Sequence, residues 1–133
     1  MFVDASAMVA ILTREPEGMA LSATLDTAQS PITSAIAVFE AVLNICRKRR
    51  TSLAAAHEDV LAFLETAGIQ SVSITASEAD AALDAAARYG KGQGHPAQLN
   101  MGDCFAYAVA TTHGKALLFK GEDFSKTDIR SAM

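Results

Sequence analysis

Apolar positions along the chain switch between two spacings, and the switches mark its elements. Apolar residues three and four apart signal helix, whereas strict alternation or a short apolar run signals strand. The opening pair Phe2 and Val3 is a short apolar segment that stops at Asp4 and passes straight into the helical run ASAMVAILTRE. Further helices are predicted over 15–28, 35–50, 53–68 and 76–89, and in the segment QLNMGDCFAYAVA at 98–110. Strands are predicted at 2–3, 31–34, 69–75 and 115–120.

The polar punctuation agrees with these boundaries. Pro16 is tolerated in the first turn of a second helix, and Ser34 is placed to cap the third. Gly68 is placed to stop the fourth. Thr75 with Glu78, and Asn100 with Asp103, have the spacing of a capping box. The basic run Arg47, Lys48, Arg49 and Arg50 suits the negative end of a helix dipole. Strands alternating with helices imply a parallel sheet covered on both faces, an α/β fold. No repeat, linker or low-complexity tract interrupts the 133 residues, which suggests a single domain over 1–133.

Composition narrows the class. Half of the residues are apolar, enough for a sizeable core and against disorder. No stretch approaches the ~20 apolar residues of a membrane span, and the start MFVDAS lacks the basic region of a signal peptide. The expectation is a cytoplasmic protein without a membrane partner. Cys46 and Cys104 lie inside apolar helical patterns and are expected to be free, buried thiols. No Cys/His spacing resembles a zinc site. A formal charge of −4 argues against a general basic nucleic-acid surface but allows a local one.

The candidate chemistry lies in the acids. In open parallel sheets, ligands sit at the carboxyl ends of the strands, near the topological switch point. Asp4 ends the first strand and Asp123 follows the last. Glu40 interrupts an apolar stretch of the third helix, where an unpaired charge is expensive. Asp103 begins the helix before the last strand. Each acid also has a bland reading: Asp4 and Asp103 as helix caps, Glu40 in a salt bridge or on the surface, Asp123 in a turn. Four acids at four element ends on one side of a sheet strain those readings. Clustered carboxylates repel unless a cation neutralises them. Oxygen-only ligands favour Mg2+ or Mn2+ over zinc, and one or two such ions would activate water against a phosphodiester. That is nuclease chemistry.

FVDASA, the pair Glu40 and Asn44, HPAQLNMGDCFAYA and LLFKGEDFSKTDI occur in this order along the chain. In these motifs the chain resembles the PIN-domain family, and more narrowly the VapC-type ribonuclease toxins of bacterial toxin–antitoxin pairs. The resemblance implies a three-layer α/β/α sandwich with a central parallel sheet of four to five short strands. It also implies a metal-dependent endoribonuclease toxin, with Asp4, Glu40, Asp103 and Asp123 as catalytic and metal-holding acids. Glu122 is adjacent and could share or replace the role of Asp123. Ser6 and Asn44 match polar positions that orient the acids or bound water, and Asn100 one that shapes the loop. Thr127 and Asp128 match the family ending as structural residues. Implied partners are an RNA substrate, a cognate antitoxin, a second copy in a homodimer, and operator DNA only through the antitoxin.

The remaining candidates concern substrate. The run Arg47 to Arg50 reads either as a solvated helix end or as a grip on RNA phosphates. His95 precedes Asp103 in a loop and is a candidate RNA contact, whereas His57 faces solvent and His113 closes a helix. Glycines in GKGQG lack the ending of a phosphate-binding loop and read as a flexible rim. Phe39, Phe63, Phe105 and Tyr107 sit at core spacings and read as packing. Two other classes remain: an RNA-maturation nuclease without an antitoxin, and a receiver-type phosphorylation module. The second lacks paired acids after the first strand and an aspartate in IQSVSIT.

Overall fold

The computed structural model describes residues 1–133. Four short strands, β1 (Phe2–Val3), β2 (Ile32–Ser34), β3 (Gln70–Val72) and β4 (Leu117–Leu118), form one sheet in the order β3-β2-β1-β4. Every pairing is parallel, with Phe2 opposite both Ile32 and Leu117. The chain builds outward from β1 through β2 to β3, then returns to lay β4 on the other side of β1. The reversal therefore falls between β1 and β4, which makes their carboxyl ends the place for a ligand.

Six helices flank the sheet: α1 (Ala5–Leu12), α2 (Gly18–Asp26), α3 (Ala35–Arg49), α4 (Leu53–Ala67), α5 (Ala76–Tyr89) and α6 (Met101–Thr112). A 3-10 turn, Phe124–Lys126, follows β4. The central strand β1 is fully buried, and Met8, Ile45, Val60, Leu99 and Val109 pack around the sheet in one apolar cluster. Alanines line the buried faces of α1 and α6, so these helices approach the sheet closely. No helix is long and apolar enough to cross a membrane.

Local chemistry sets the helix ends. Ser34 accepts the Ala37 N–H at 3.2 Å and starts α3 directly from β2. Gly68 ends α4 at φ 67°, a left-handed conformation that glycine adopts without steric cost.

Four expectations need correction. The second helix starts at Gly18 rather than 15, because Glu15, Pro16 and Glu17 form a turn. Thr75 accepts no backbone N–H at the start of α5; its hydroxyl donates to the Glu78 carboxylate instead. Phe39 is 64% exposed, since it faces outward from α3 toward α4 rather than into the core. Cys46 is only partly buried, its thiol donating to the Thr51 carbonyl at 3.0 Å at the end of α3, while Cys104 is buried. Both thiols are free.

Candidate metal centre and active site

Asp4 is the first residue past β1. Its backbone N–H donates to Leu118 at 3.0 Å, which ties it to the end of β4. Its side chain caps α1: Oδ2 accepts the Ser6 N–H at 3.0 Å and the Ser6 hydroxyl at 2.6 Å. Asp4 as a whole is 5% exposed. Burial pushes its pKa up, and the bonds from Ser6 only partly offset this. Ser6 has a second task. Its oxygen accepts the Lys120 N–H at 3.0 Å, so one hydroxyl joins the ends of β1 and β4.

Glu40 lies in the second turn of α3 and reaches across to α6. A Cβ placed on Gly102 would stand 2.3 Å from both of its carboxylate oxygens. Glycine at 102 is therefore what lets the carboxylate lie against the first turn of α6. Burial pushes the Glu40 pKa up to about 7, and the charges of Asp4 and Asp103 push in the same direction.

Asp103 is held in the capping box suggested by its spacing from Asn100. Asn100 Oδ1 accepts the Asp103 N–H at 2.8 Å, and Asp103 Oδ2 accepts the Asn100 N–H at 3.0 Å. Burial raises its pKa to about 6; the Asn100 bond opposes this, while Asp4 and Asp123 add to it. Capping and a place in the acid cluster therefore coexist in one side chain.

Asp123 is exposed on the turn after β4, and its charge reaches Asp103. Glu122 is engaged differently, accepting the Ser125 hydroxyl at 3.2 Å. The cluster thus comprises Asp4, Glu40 and Asp103, with Asp123 at its rim. As the side chains stand, no three of them close around a single cation position. One oxygen each of Asp4 and Asp103 is committed to a cap, and mutual repulsion favours separation without a counter-charge. The donor set still fits a hard divalent ion: it is all oxygen, crowded, and raised in proton affinity by its own charges.

The other candidates fall outside this cluster. Asn44, one turn beyond Glu40, accepts from the Arg47 guanidinium. Lys48 pairs with Glu15, and Arg49 pairs with Asp59 at 3.0 Å and also donates to the Leu12 carbonyl. His95 is turned inward: its Nδ1 accepts the Ala97 N–H at 3.1 Å, and its ring meets Tyr89 edge-on at 4.9 Å. Asp128 is structural, bound to the Tyr107 hydroxyl and, at 3.0 Å, to Arg88. Thr127 accepts the Ile129 N–H at 3.2 Å. Sequence reasoning missed Glu15 and Lys120, whose partners lie 33 and 105 residues away along the chain.

Residues 1–130 match the PIN domain family. A VapC ribonuclease of Rhizobium meliloti is 43% identical, with 96% of this chain and 98% of the relative covered. Ribonuclease VapC42 of Mycobacterium tuberculosis is 39% identical, with 99% and 98% covered. Ribonuclease VapC of Mycolicibacterium smegmatis is 41% identical, with 97% of each chain covered. The family match and this full-length similarity exclude the receiver-type alternative, which would share a parallel sheet and strand-end acids: the chain belongs to the PIN-domain family, among the VapC ribonucleases.

Proposed function

We propose that this chain acts as a single PIN domain that cuts RNA internally, with a divalent ion held by Asp4, Glu40 and Asp103 and with Asp123 at the rim. The observation that carries this reading is the convergence of acids from the end of β1, from α3 and from the start of α6, where the Glu40 carboxylate lies against Gly102 and the charges of Asp4 and Asp103 both raise its pKa. Relatives named as ribonucleases, 39% to 43% identical over nearly their whole length, support RNA as the substrate.

Mg2+ or Mn2+ bound there would lower the pKa of a coordinated water and offset charge on the phosphate. The chain's own residues do the rest. Ser6 fixes the orientation of Asp4, and the Asn100 N–H fixes Asp103. Gly102 leaves room for Glu40. Burial of Asp4 excludes bulk water from one wall of the pocket.

The same membership supports a toxin restrained by an antitoxin in the cytoplasm. A guanidinium pairs with carboxylates bidentately, so an antitoxin arginine is the natural plug for this pocket. The assembly is proposed as a homodimer that meets operator DNA only through the antitoxin.

Incubating purified protein with mixed RNA and Mg2+, then sequencing the new ends, tests the function. A discrete set of ends that disappears in EDTA is expected. Undiminished cleavage in EDTA would overturn the metal role, and no cleavage of any RNA would overturn the ribonuclease reading.

A further inference from the structure

We infer that Lys120 and Lys48, joined through Glu15, form a phosphate-binding subsite for the RNA strand that flanks the acidic pocket. The inference rests on the ribonuclease reading above and adds residues that hold substrate rather than metal.

The main chain of Lys120 is tied to the acids. Its backbone N–H donates to Ser6 Oγ at 3.0 Å, and that hydroxyl donates to Asp4 Oδ2 at 2.6 Å. Two hydrogen bonds thus separate its main chain from Asp4. Its ammonium does not turn toward the carboxylates. It pairs with one oxygen of Glu15 and lies 3.7 Å from Glu17, while Lys48 takes the other oxygen of Glu15. Lys48 also donates to Thr13 Oγ1 at 3.3 Å. The bridging carboxylate is largely covered, with 14% of its side chain exposed, whereas Lys120 and Lys48 are 38% and 47% exposed. The two lysines hold the Glu15 pKa below its ordinary value, Lys120 most strongly.

Two ammoniums face two carboxylates here, the covered Glu15 and the more exposed Glu17, so the local surplus of positive charge comes from Arg14 in the cleft beside Lys48. An ammonium has three donors, more than these acceptors use, and the remainder face solvent. A shallow cleft lined by Thr13, Arg14, Lys48 and Arg49 extends the positive surface along the end of α1. A chain of net charge −4 with acids at its site repels a polyanion, so RNA needs cations beside those acids. Lysine binds phosphate as a point charge without demanding bidentate geometry. Glu15 keeps the two ammoniums at this spacing and keeps Lys120 off the carboxylates. Of the arginines in that cleft, Arg49 is neutralised by Asp59, which leaves Arg14 beside Lys48.

The test uses a labelled single-stranded RNA of mixed sequence. Binding is followed by anisotropy in an Asp103→Asn background, and cleavage with Mg2+ in otherwise unchanged protein. Lys120→Gln and Lys48→Gln should each weaken binding several-fold and make the salt slope shallower by about 0.7, the contribution of one phosphate contact to a single strand. Each should raise KM with little change in kcat, as loss of uniform binding does. Lys115→Gln removes the same charge at the opposite, amino end of β4 and should change neither. Lys120→Arg keeps the charge and should restore both affinity and slope, which a folding defect would not. Lys120→Gln behaving like Lys115→Gln, or lowering kcat with KM and slope unchanged, overturns the subsite while the ribonuclease reading stands. Unchanged protein that neither binds nor cuts RNA overturns both.

Discussion

Two small residues set the position of the acids, and each supports a prediction. Gly102 leaves the space in which the Glu40 carboxylate lies. Alanine there suits helix α6, and the obstructing atoms are the end of a flexible side chain that can swing away. Gly102→Ala should therefore fold with a melting temperature close to that of the unchanged protein. Its metal affinity and RNA cleavage should fall by about 10–100-fold, the usual effect of disturbing a ligand's support. Calorimetric Mn2+ binding beside thermal melting checks this, and unimpaired binding would show that Glu40 need not lie on α6. Ser6 works through hydrogen bonds instead. Ser6→Ala removes the 2.6 Å hydroxyl bond to Asp4 and the acceptor for Lys120, yet leaves the Ser6 N–H in place. Cleavage should drop by a similar factor, and Ser6→Thr, which restores the hydroxyl, should recover most of it. Failure of threonine to rescue would point to packing rather than hydrogen bonding.

At the scale of elements, Asp4 is fixed by where a strand stops and Asp103 by where a helix starts, while Glu40 projects from the second turn of α3. Asp103 serves as box partner and cluster acid at once, and Asp103→Asn separates the two. An asparagine carbonyl still accepts the Asn100 N–H, so the cap persists while the charge disappears. Cleavage should fall by two orders of magnitude or more, roughly what loss of one preorganised group costs, while α6 stays intact by circular dichroism. Near-normal cleavage would return Asp103 to capping alone. Much of this was legible in sequence because caps and strand ends sit at fixed local offsets: Ser34 before α3, Asn100 three before Asp103, Asp4 straight after Val3. Strand extent was not. The alternating IQSVSIT yields only Gln70–Val72, because β3 is the sheet edge and pairs with β2 alone. KALLFK likewise shortens to Leu117–Leu118, matching the two-residue β1 beside it. The outward turn of Phe39 and the bridge through Glu15 depend on which helices meet, and no local pattern encodes that.

Across the whole molecule, the acid cluster should reverse the usual relation between stability and pH. Glu40 rises from 4.5 to about 7 and Asp103 from 3.8 to about 6, so the folded state binds protons more tightly than the unfolded chain. Stability without metal must then fall as pH rises from about 4 to about 7, the opposite of a salt-bridged carboxylate. Glu15 and Asp128, whose pKa values are lowered, lose their contributions only at more acidic pH and do not mask the effect. Because Glu40 and Asp103 are partly solvated, the loss is on the order of 2 kcal/mol rather than the full sum of both shifts. In EDTA the protein should melt at a higher temperature at pH 5 than at pH 8. Glu40→Gln should flatten that difference. The proposed Mg2+ site needs the ionised cluster and exists only in the folded state, so adding Mg2+ at pH 8 should raise the melting temperature with concentration. A metal-free protein whose stability is level or increasing from pH 5 to 8, in both unchanged and Glu40→Gln forms, would mean that the carboxylates do not share one poorly solvated pocket.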